Sequence, residues 1–200
     1  MIAAVIPVKR LSDAKSRLSS RLSAHERAML VTALLRRTIR VLNQVEAINR
    51  IGVATEEREL VETFHGVDWL PDTGGLNPSL AHAASWATSL HARSVLMLPC
   101  DLPLLEGGDV RALLAAGGRA PNITIAPTQD GGTGAILLTP PGVIGPAFGP
   151  DSFTRHVENA RAARVSVHTV LRQGFSRDLD STEDLEYLGN HSAECLCITT

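Results

Sequence analysis

The sequence predicts a single α/β domain built on a doubly wound, mostly parallel sheet. Three observations carry that prediction. Strand-like and helix-like segments alternate from end to end, and no linker divides them. In Ser94-Val95-Leu96-Met97-Leu98 the four residues after the serine form a continuous apolar run, as a central parallel strand covered on both faces must. The 200 residues are enough for one domain with a sizeable core.

Taken in order, Ile2-Ala3-Ala4-Val5-Ile6 is a short apolar strand. Ser23-Ala24-His25-Glu26 reads as a capping box. It opens a long helix on which Met29, Leu30, Ala33, Leu34, Val41 and Leu42 recur at helical spacing. On that helix, Arg27 and Arg36 are expected to be ordinary surface arginines. Arg50 to Ala54 reads as a strand, with a short helix from Glu56, and Val67 to Leu70 as a brief strand ending in Pro71-Asp72-Thr73-Gly74-Gly75. Asn77 is expected to cap, and Pro78 to open, a helix that runs through Trp86 to about Leu90. Beyond the apolar strand, Asn122 to Ala126 and Ala135 to Leu138 flank a glycine-rich turn and suggest two strands joined tightly. A helix from Asp151 or Ser152 to Ala163, a strand from Val165 to Val170 and a short helix opened by Ser181 complete the domain. Its expected extent is 1–189, with 190–200 a loosely held tail.

With a formal net charge of -2, the chain has no basic field to draw it to nucleic acid or to a membrane. No apolar run reaches the roughly 18 residues of a membrane span, and the N-terminus is strand-like rather than leader-like. Cys100, Cys195 and Cys197 show no framework spacing, which suits a reducing cytoplasm. Cys195-x-Cys197, with only His191 nearby, lacks the ligand set of a metal site.

Lys9 and Lys15 are the only lysines among 19 basic residues; all the others are arginine. Both lie in the loop after the first strand, in Pro7-Val8-Lys9-Arg10 and Ala14-Lys15-Ser16-Arg17. Lysine offers a compact, mobile point charge suited to polyphosphate oxygens, and open α/β sheets bind ligands at the carboxyl ends of their strands. Asp101, in Leu98-Pro99-Cys100-Asp101-Leu102-Pro103, follows the buried strand and is placed to hold a divalent metal; a helix cap or turn is its plainer reading. In Asp178-Leu179-Asp180 an extended backbone would point both carboxylates to one side, while Asp180 or Ser181 also suits a cap. Gly74-Gly75 before a helix and Gly149 before Ser152 mark places where free amides can meet a ligand, and Arg155 and His156 one turn on can add charge. P-loop, Rossmann and nucleophile-elbow motifs are absent.

These motifs, in this order, resemble the 2-phospho-L-lactate or phosphoenolpyruvate guanylyltransferases of coenzyme F420 biosynthesis, the CofC/FbiD family. The resemblance rests on Pro7-Val8-Lys9, Ala14-Lys15-Ser16-Arg17-Leu18, Gly75-Leu76-Asn77, the Asp101 segment, Asp130-Gly131-Gly132-Thr133, Phe148-Gly149 with Ser152-Phe153, and Asp178-Leu179-Asp180. It implies a nucleotide-diphospho-sugar-transferase-like (MobA-like) fold, GTP as donor and a small phosphorylated acid as acceptor. It also implies magnesium on Asp101, Asp178 and Asp180, acceptor binding by Thr133, Gly149 and Ser152, and nucleotide contacts from Pro7, Val8, Lys9, Lys15, Gly75 and Asn77. Gly134 stands where many relatives carry asparagine, a departure that leaves the acceptor preference open. Lys9, Lys15, Arg17 and Asp101 are the expected catalytic residues, the product would pass to a deazaflavin transferase, and a homodimer is left open. A sugar-phosphate or molybdopterin nucleotidyltransferase stays open beside this reading, although the glycine-rich loop usual in those enzymes is missing here. So does a non-catalytic nucleotide-binding module, which metal-dependent release of pyrophosphate would separate from an enzyme.

Overall fold

The computed structural model describes residues 1–191, with side chains through Tyr187; residues 190 and 191 of the expected tail belong to the last helix, and Cys195, Cys197 and the rest of the tail lie outside the described residues. Seven strands form one sheet: β1 (Ile2–Pro7), β2 (Ile48–Ala54), β3 (Val67–Leu70), β4 (Ser94–Met97), β5 (Asn122–Pro127), β6 (Thr133–Thr139) and β7 (Ser166–Thr169). Their order is β3-β2-β1-β4-β6-β5-β7. All neighbours are parallel except β6, which runs antiparallel to both β4 and β5. The reversed strand matters for function, because β6 enters the sheet at the edge where β1, β4 and β5 leave it.

Helices cover both faces, as the double winding requires. On β1, alternate residues go to opposite layers. Ala4 and Ile6 pack with Leu35 and Leu42 of α1 (Ala24–Asn43) and with Val110 and Leu113 of α4 (Gly107–Ala115). Ala3 and Val5 pack with Leu80, Ala83 and Ala87 of α3 (Leu76–Ser89) and with Ala160 of α5 (Ser152–Ala162). Short helices α2 (Arg58–Glu62) and α6 (Gln173–Ser176) and the final α7 (Thr182–His191) complete the element order. Among the described residues no helix is long and apolar enough to cross a membrane.

The capping box at Ser23 forms as expected, with Ser23 Oγ accepting from the Glu26 N–H and Glu26 accepting from the Ser23 N–H. One expectation about the helices fails, and one helix was not expected. The helix α3 begins at Leu76, with Gly75 rather than Asn77 before it, because the Asn77 amide bonds Phe148 across the cleft mouth. The helix α4 had no pattern to announce it: glycines at 107 and 108 weaken its helix signal. Its first turn is closed instead by the Asp109 carboxylate, which accepts from the Glu106 N–H and is gripped by Arg172.

Gly134, in β6, owes its identity to a backbone crossing. A Cβ placed there would lie 2.1 Å from the carbonyl oxygen of Phe175, so α6 packs directly on the strand. Gly134→Ala should therefore push α6 away, lowering stability by about 1–3 kcal/mol as overpacking does and the melting temperature by several degrees. Thermal denaturation checks this, and an unchanged midpoint would mean that the crossing is loose.

Candidate active site

Asp101 lies just beyond β4, and Lys15 sits in the loop after β1 between two 3-10 turns, Leu11–Asp13 and Ser16–Leu18. The third contributor is the extended segment between α6 and α7. Its Leu179 is buried, and the Leu179 N–H donates to the Asp101 carbonyl oxygen at 2.9 Å. Alternation about Leu179 brings Asp178 and Asp180 to Asp101, and one oxygen from each of the three carboxylates lies within 4.8 Å of the others. Leu18, Leu30, Leu34 and Leu179 form a small cluster of their own, so the same apolar contact anchors both the lysine loop and the acidic segment.

The Lys15 ammonium bridges two of the acids, 2.6 Å from Asp101 Oδ2 and 2.6 Å from Asp180 Oδ1, with only 8% of its side chain exposed. Burial pushes the ammonium's pKa down, and the two carboxylates reverse this and raise it above the ordinary value. Asp178 makes no ion pair of this kind among the described residues, and Lys15 offsets its shift only in part. Burial, then the charges of Asp101 and Asp180, push its carboxyl up to about 6. Asp101 Oδ1 is buried and has no hydrogen-bond partner among the described residues. An orphaned acceptor facing two more carboxylates fits a divalent cation taking oxygen ligands. Cys100 beside it is inert, its thiol pushed up to about 12 by burial and by Asp101.

The other expected cations sit further out. Lys9 is exposed and makes no ion pair among the described residues, while Arg17, 78% exposed, comes only to 3.8 Å from Asp180. Pro7 ends β1, and the Val8 N–H is taken by the Ala54 carbonyl. Arg27 is not the free surface residue expected. Its guanidinium donates to the carbonyls of Ala14 and Leu22 and so holds the chain on either side of Lys15, which adopts a left-handed backbone (φ 51°, ψ 40°).

The glycine turn before α3 also differs from expectation. The N–H groups of Gly74 and Gly75 both donate to Asp72 Oδ1, at 2.7 and 2.9 Å, so these amides are occupied within the chain. They hold the Asp72 carboxyl below its usual range. The Asn77 side chain accepts from the Phe148 N–H (2.7 Å) and donates to the Phe148 carbonyl (3.1 Å), tying α3 to the loop that carries Gly149.

Across the cleft, Thr133 at the start of β6 meets Ser152 at the start of α5. Ser152 Oγ donates to Thr133 Oγ1 at 3.0 Å. Gly149 (φ 118°) turns the loop so that its carbonyl accepts from the Ser152 N–H. Arg155 is exposed, with its Nη2 3.2 Å from where a Gly149 Cβ would stand. His156 supplies no charge, contrary to expectation. The ring is fully buried, and burial pushes its pKa down to about 4. Its Nδ1 is 3.1 Å from Thr133 Oγ1, and its Nε2 accepts from the Ala147 N–H at 2.9 Å. Only its place one turn into α5 hinted at a role in the sequence.

The carboxyl edge of the sheet thus carries a charged group of three aspartates and a lysine, and the start of β6 and of α5 carries a neutral group of buried hydroxyls and an imidazole. The family model described as guanylyl transferase CofC like matches residues 2–195. The chain is 38% identical over 199 residues to the phosphoenolpyruvate guanylyltransferase of Roseiflexus sp. (strain RS-1), covering 97% of this chain and 87% of that protein. It is 33% identical over 202 residues to the 2-phospho-L-lactate guanylyltransferase of Methanothermobacter thermautotrophicus, covering 96% and 88%. Its fold is similar to that of a solved nucleotidyl transferase from Methanothermobacter, with TM-score 0.66 at 15% identity over 96% of this chain and 97% of the other. It is also similar to the 4-diphosphocytidyl-2C-methyl-D-erythritol synthase of Anaerococcus prevotii, with TM-score 0.65 at 9% identity over 95% of each chain. With a family match over nearly its whole length and relatives above 30% identity, the chain belongs to the CofC-like guanylyl transferase family.

Proposed function

We propose that this chain moves GMP from GTP to the phosphate of a small phosphorylated carboxylic acid, phosphoenolpyruvate or 2-phospho-L-lactate, releasing pyrophosphate. The observation that carries the reading is the convergence of Asp101, Asp178, Asp180 and Lys15 at the carboxyl edge of the sheet. The names of its relatives support the choice of acceptor. An oxygen of the acceptor phosphate attacks the α-phosphorus of GTP, and the bond from that phosphorus to the bridging oxygen breaks, so pyrophosphate leaves with the electron pair. A phosphate monoester has its second pKa near 6, so the nucleophile is already anionic and the chain needs no general base. The difficulty is repulsion between two anions, and the residues address it by charge and position.

Held by Asp101, Asp178 and Asp180, magnesium would supply Lewis-acid neutralisation of the triphosphate and of the departing pyrophosphate. Lys15 holds Asp101 and Asp180 together, and its ammonium lies where the phosphates arrive; Lys9 and Arg17 add mobile charge at the rim. Pro7, Val8, Gly75 and Asn77 frame the nucleotide, with Asn77 also steadying the acceptor loop. Thr133, Gly149 and Ser152 hold the acceptor, and Arg155 offers it a cation. The product is an acid joined to guanosine through a diphosphate, a form suited to a deazaflavin transferase of coenzyme F420 biosynthesis in the cytoplasm. Purified protein incubated with GTP, magnesium and each acid in turn, scored for pyrophosphate, tests the reading; no release with either acid would defeat it.

Three outcomes follow from the charged wall and its neutral counterpart. Asp101→Asn should lower turnover at least about a hundredfold with the fold intact. Asp178→Asn should also abolish turnover yet stabilise the metal-free protein at neutral pH. An acid whose folded pKa is raised from 3.8 to about 6 contributes stability below its unfolded value and loses it as the pH rises through the folded one. Removing that carboxylate should return about 1–3 kcal/mol, or several degrees of melting temperature. A lower melting temperature would contradict the repulsion argument.

Lys15→Arg should cost at least about tenfold in activity despite its conserved charge, because a planar fork does not fit between two carboxylates closing on one ammonium. Arg36→Lys, out on α1, should be nearly silent, and equal effects from the two would remove the case for lysine.

Thr133→Val and Ser152→Ala should raise the KM for the phosphorylated acid roughly ten- to a hundredfold, the scale of a hydrogen bond to a charged group. Lys9→Ala should instead raise the KM for GTP. Steady-state kinetics with each substrate varied separates the two, and the reverse pattern would exchange the two halves of the cleft.

A further inference from the structure

The hydroxyl pair on the neutral wall has a direction that its hydrogen bonds determine. The Ala147 N–H donates to His156 Nε2 at 2.9 Å, so that nitrogen carries no proton, and the neutral ring carries its one proton on Nδ1. Nδ1 lies 3.1 Å from Thr133 Oγ1 and is the donor in that contact, with the Ser152 backbone carbonyl as a second acceptor of the same proton. Ser152 Oγ donates to the same oxygen at 3.0 Å. Both lone pairs of the Thr133 hydroxyl are thereby occupied, and its own proton has no acceptor in either neighbour.

We propose that His156 is a positioning residue that makes Thr133 a one-way donor, reserving its hydroxyl proton for an anionic oxygen of the acceptor. Thr133 then selects an acceptor atom such as a carboxylate or phosphate oxygen, and offers no lone pair to a group that only donates. The ring also holds the loop opposite. Through Nε2 it fixes Ala147, and its face meets the Phe148 ring edge-on at 5.1 Å between centroids. Asn77 grips the Phe148 backbone from the other side, so the two residues before Gly149 are both anchored. Burial keeps the ring neutral at any working pH, its pKa being pushed down to about 4. A neutral ring can fix the direction of a hydroxyl, whereas a protonated one would lose the Ala147 bond. The inference rests on the reading that the acid binds at Thr133.

The test has two arms. In the native protein near neutral pH, nitrogen-15 imidazole shifts should show His156 protonated at Nδ1 and bare at Nε2. A proton on Nε2 would overturn the proposal without any variant needing to fold. In the second arm, His156→Gln puts an amide oxygen near the place of Nε2, which keeps the loop bond but gives Thr133 no fixed donor. Its KM for phosphoenolpyruvate should rise roughly tenfold while the KM for GTP stays within about threefold. If Gln matches the native protein in both constants, His156 serves the loop alone and the proposal falls. Thr133→Val in parallel tells this failure from that of the underlying reading. A raised KM for the acid in Thr133→Val beside a silent His156→Gln rejects only the positioning role. An unchanged KM in Thr133→Val rejects acceptor binding at this wall altogether.

Discussion

Charge repulsion among three aspartates is the constraint on which the cleft depends. Two unit charges about 4 Å apart repel by about 4 kcal/mol at the effective dielectric of a partly buried site, and here three carboxylates present oxygens within 4.8 Å of one another. The fold meets that repulsion in two ways. Lys15 closes on Asp101 and Asp180 from a nearly buried position, and Asp178 holds its proton to a higher pH than a free carboxyl does. Both are incomplete, since Asp101 Oδ1 keeps an unmatched lone pair. A site left short of positive charge in this way is pre-organised for cations and for polyphosphates that carry them in.

Apolar packing keeps the repelling groups in place. Leu18 and Leu179 share a small cluster with Leu30 and Leu34 of α1, and each leucine lies within three residues of a charged partner in the cleft. Burying a leucine is worth about 1.5–3 kcal/mol, comparable to the repulsion it works against. The bond from the Leu179 N–H to the Asp101 carbonyl fixes the register of the acidic segment, and Arg27 does the same for the lysine loop from the other direction.

What the sequence made legible were features with short-range causes. The period of two in Asp178-Leu179-Asp180 correctly put both acids on one side. The capping box at Ser23 was readable within four residues, and the continuous apolar run at 94–98 placed the central strand. The features missed were those whose partner is far away along the chain. Asn77 looked like a cap because its bond to Phe148 spans 71 positions, and His156 looked like a surface cation because Thr133 lies 23 positions earlier. Gly74 and Gly75 looked open to a ligand because nothing local shows Asp72 accepting from both. The helix α4 was hidden by its own glycines and is closed by Asp109, which Arg172 grips from well beyond it.

The contrast between the two walls has a chemical sense. Triphosphate and acceptor are both polyanions, and a cleft lined with cations throughout would bind either one on either side. In the proposed reading, ionised residues in the loops after β1 and β4 position one substrate by charge, and Thr133 and Ser152, beside a neutral ring, position the other by oriented dipoles. Oriented neutral donors reward an anion only where its oxygen falls at hydrogen-bond distance. They therefore discriminate by shape where point charges do not. The antiparallel β6 is what allows this, because it brings a hydroxyl to the same edge at which the parallel strands deliver their acids and lysines.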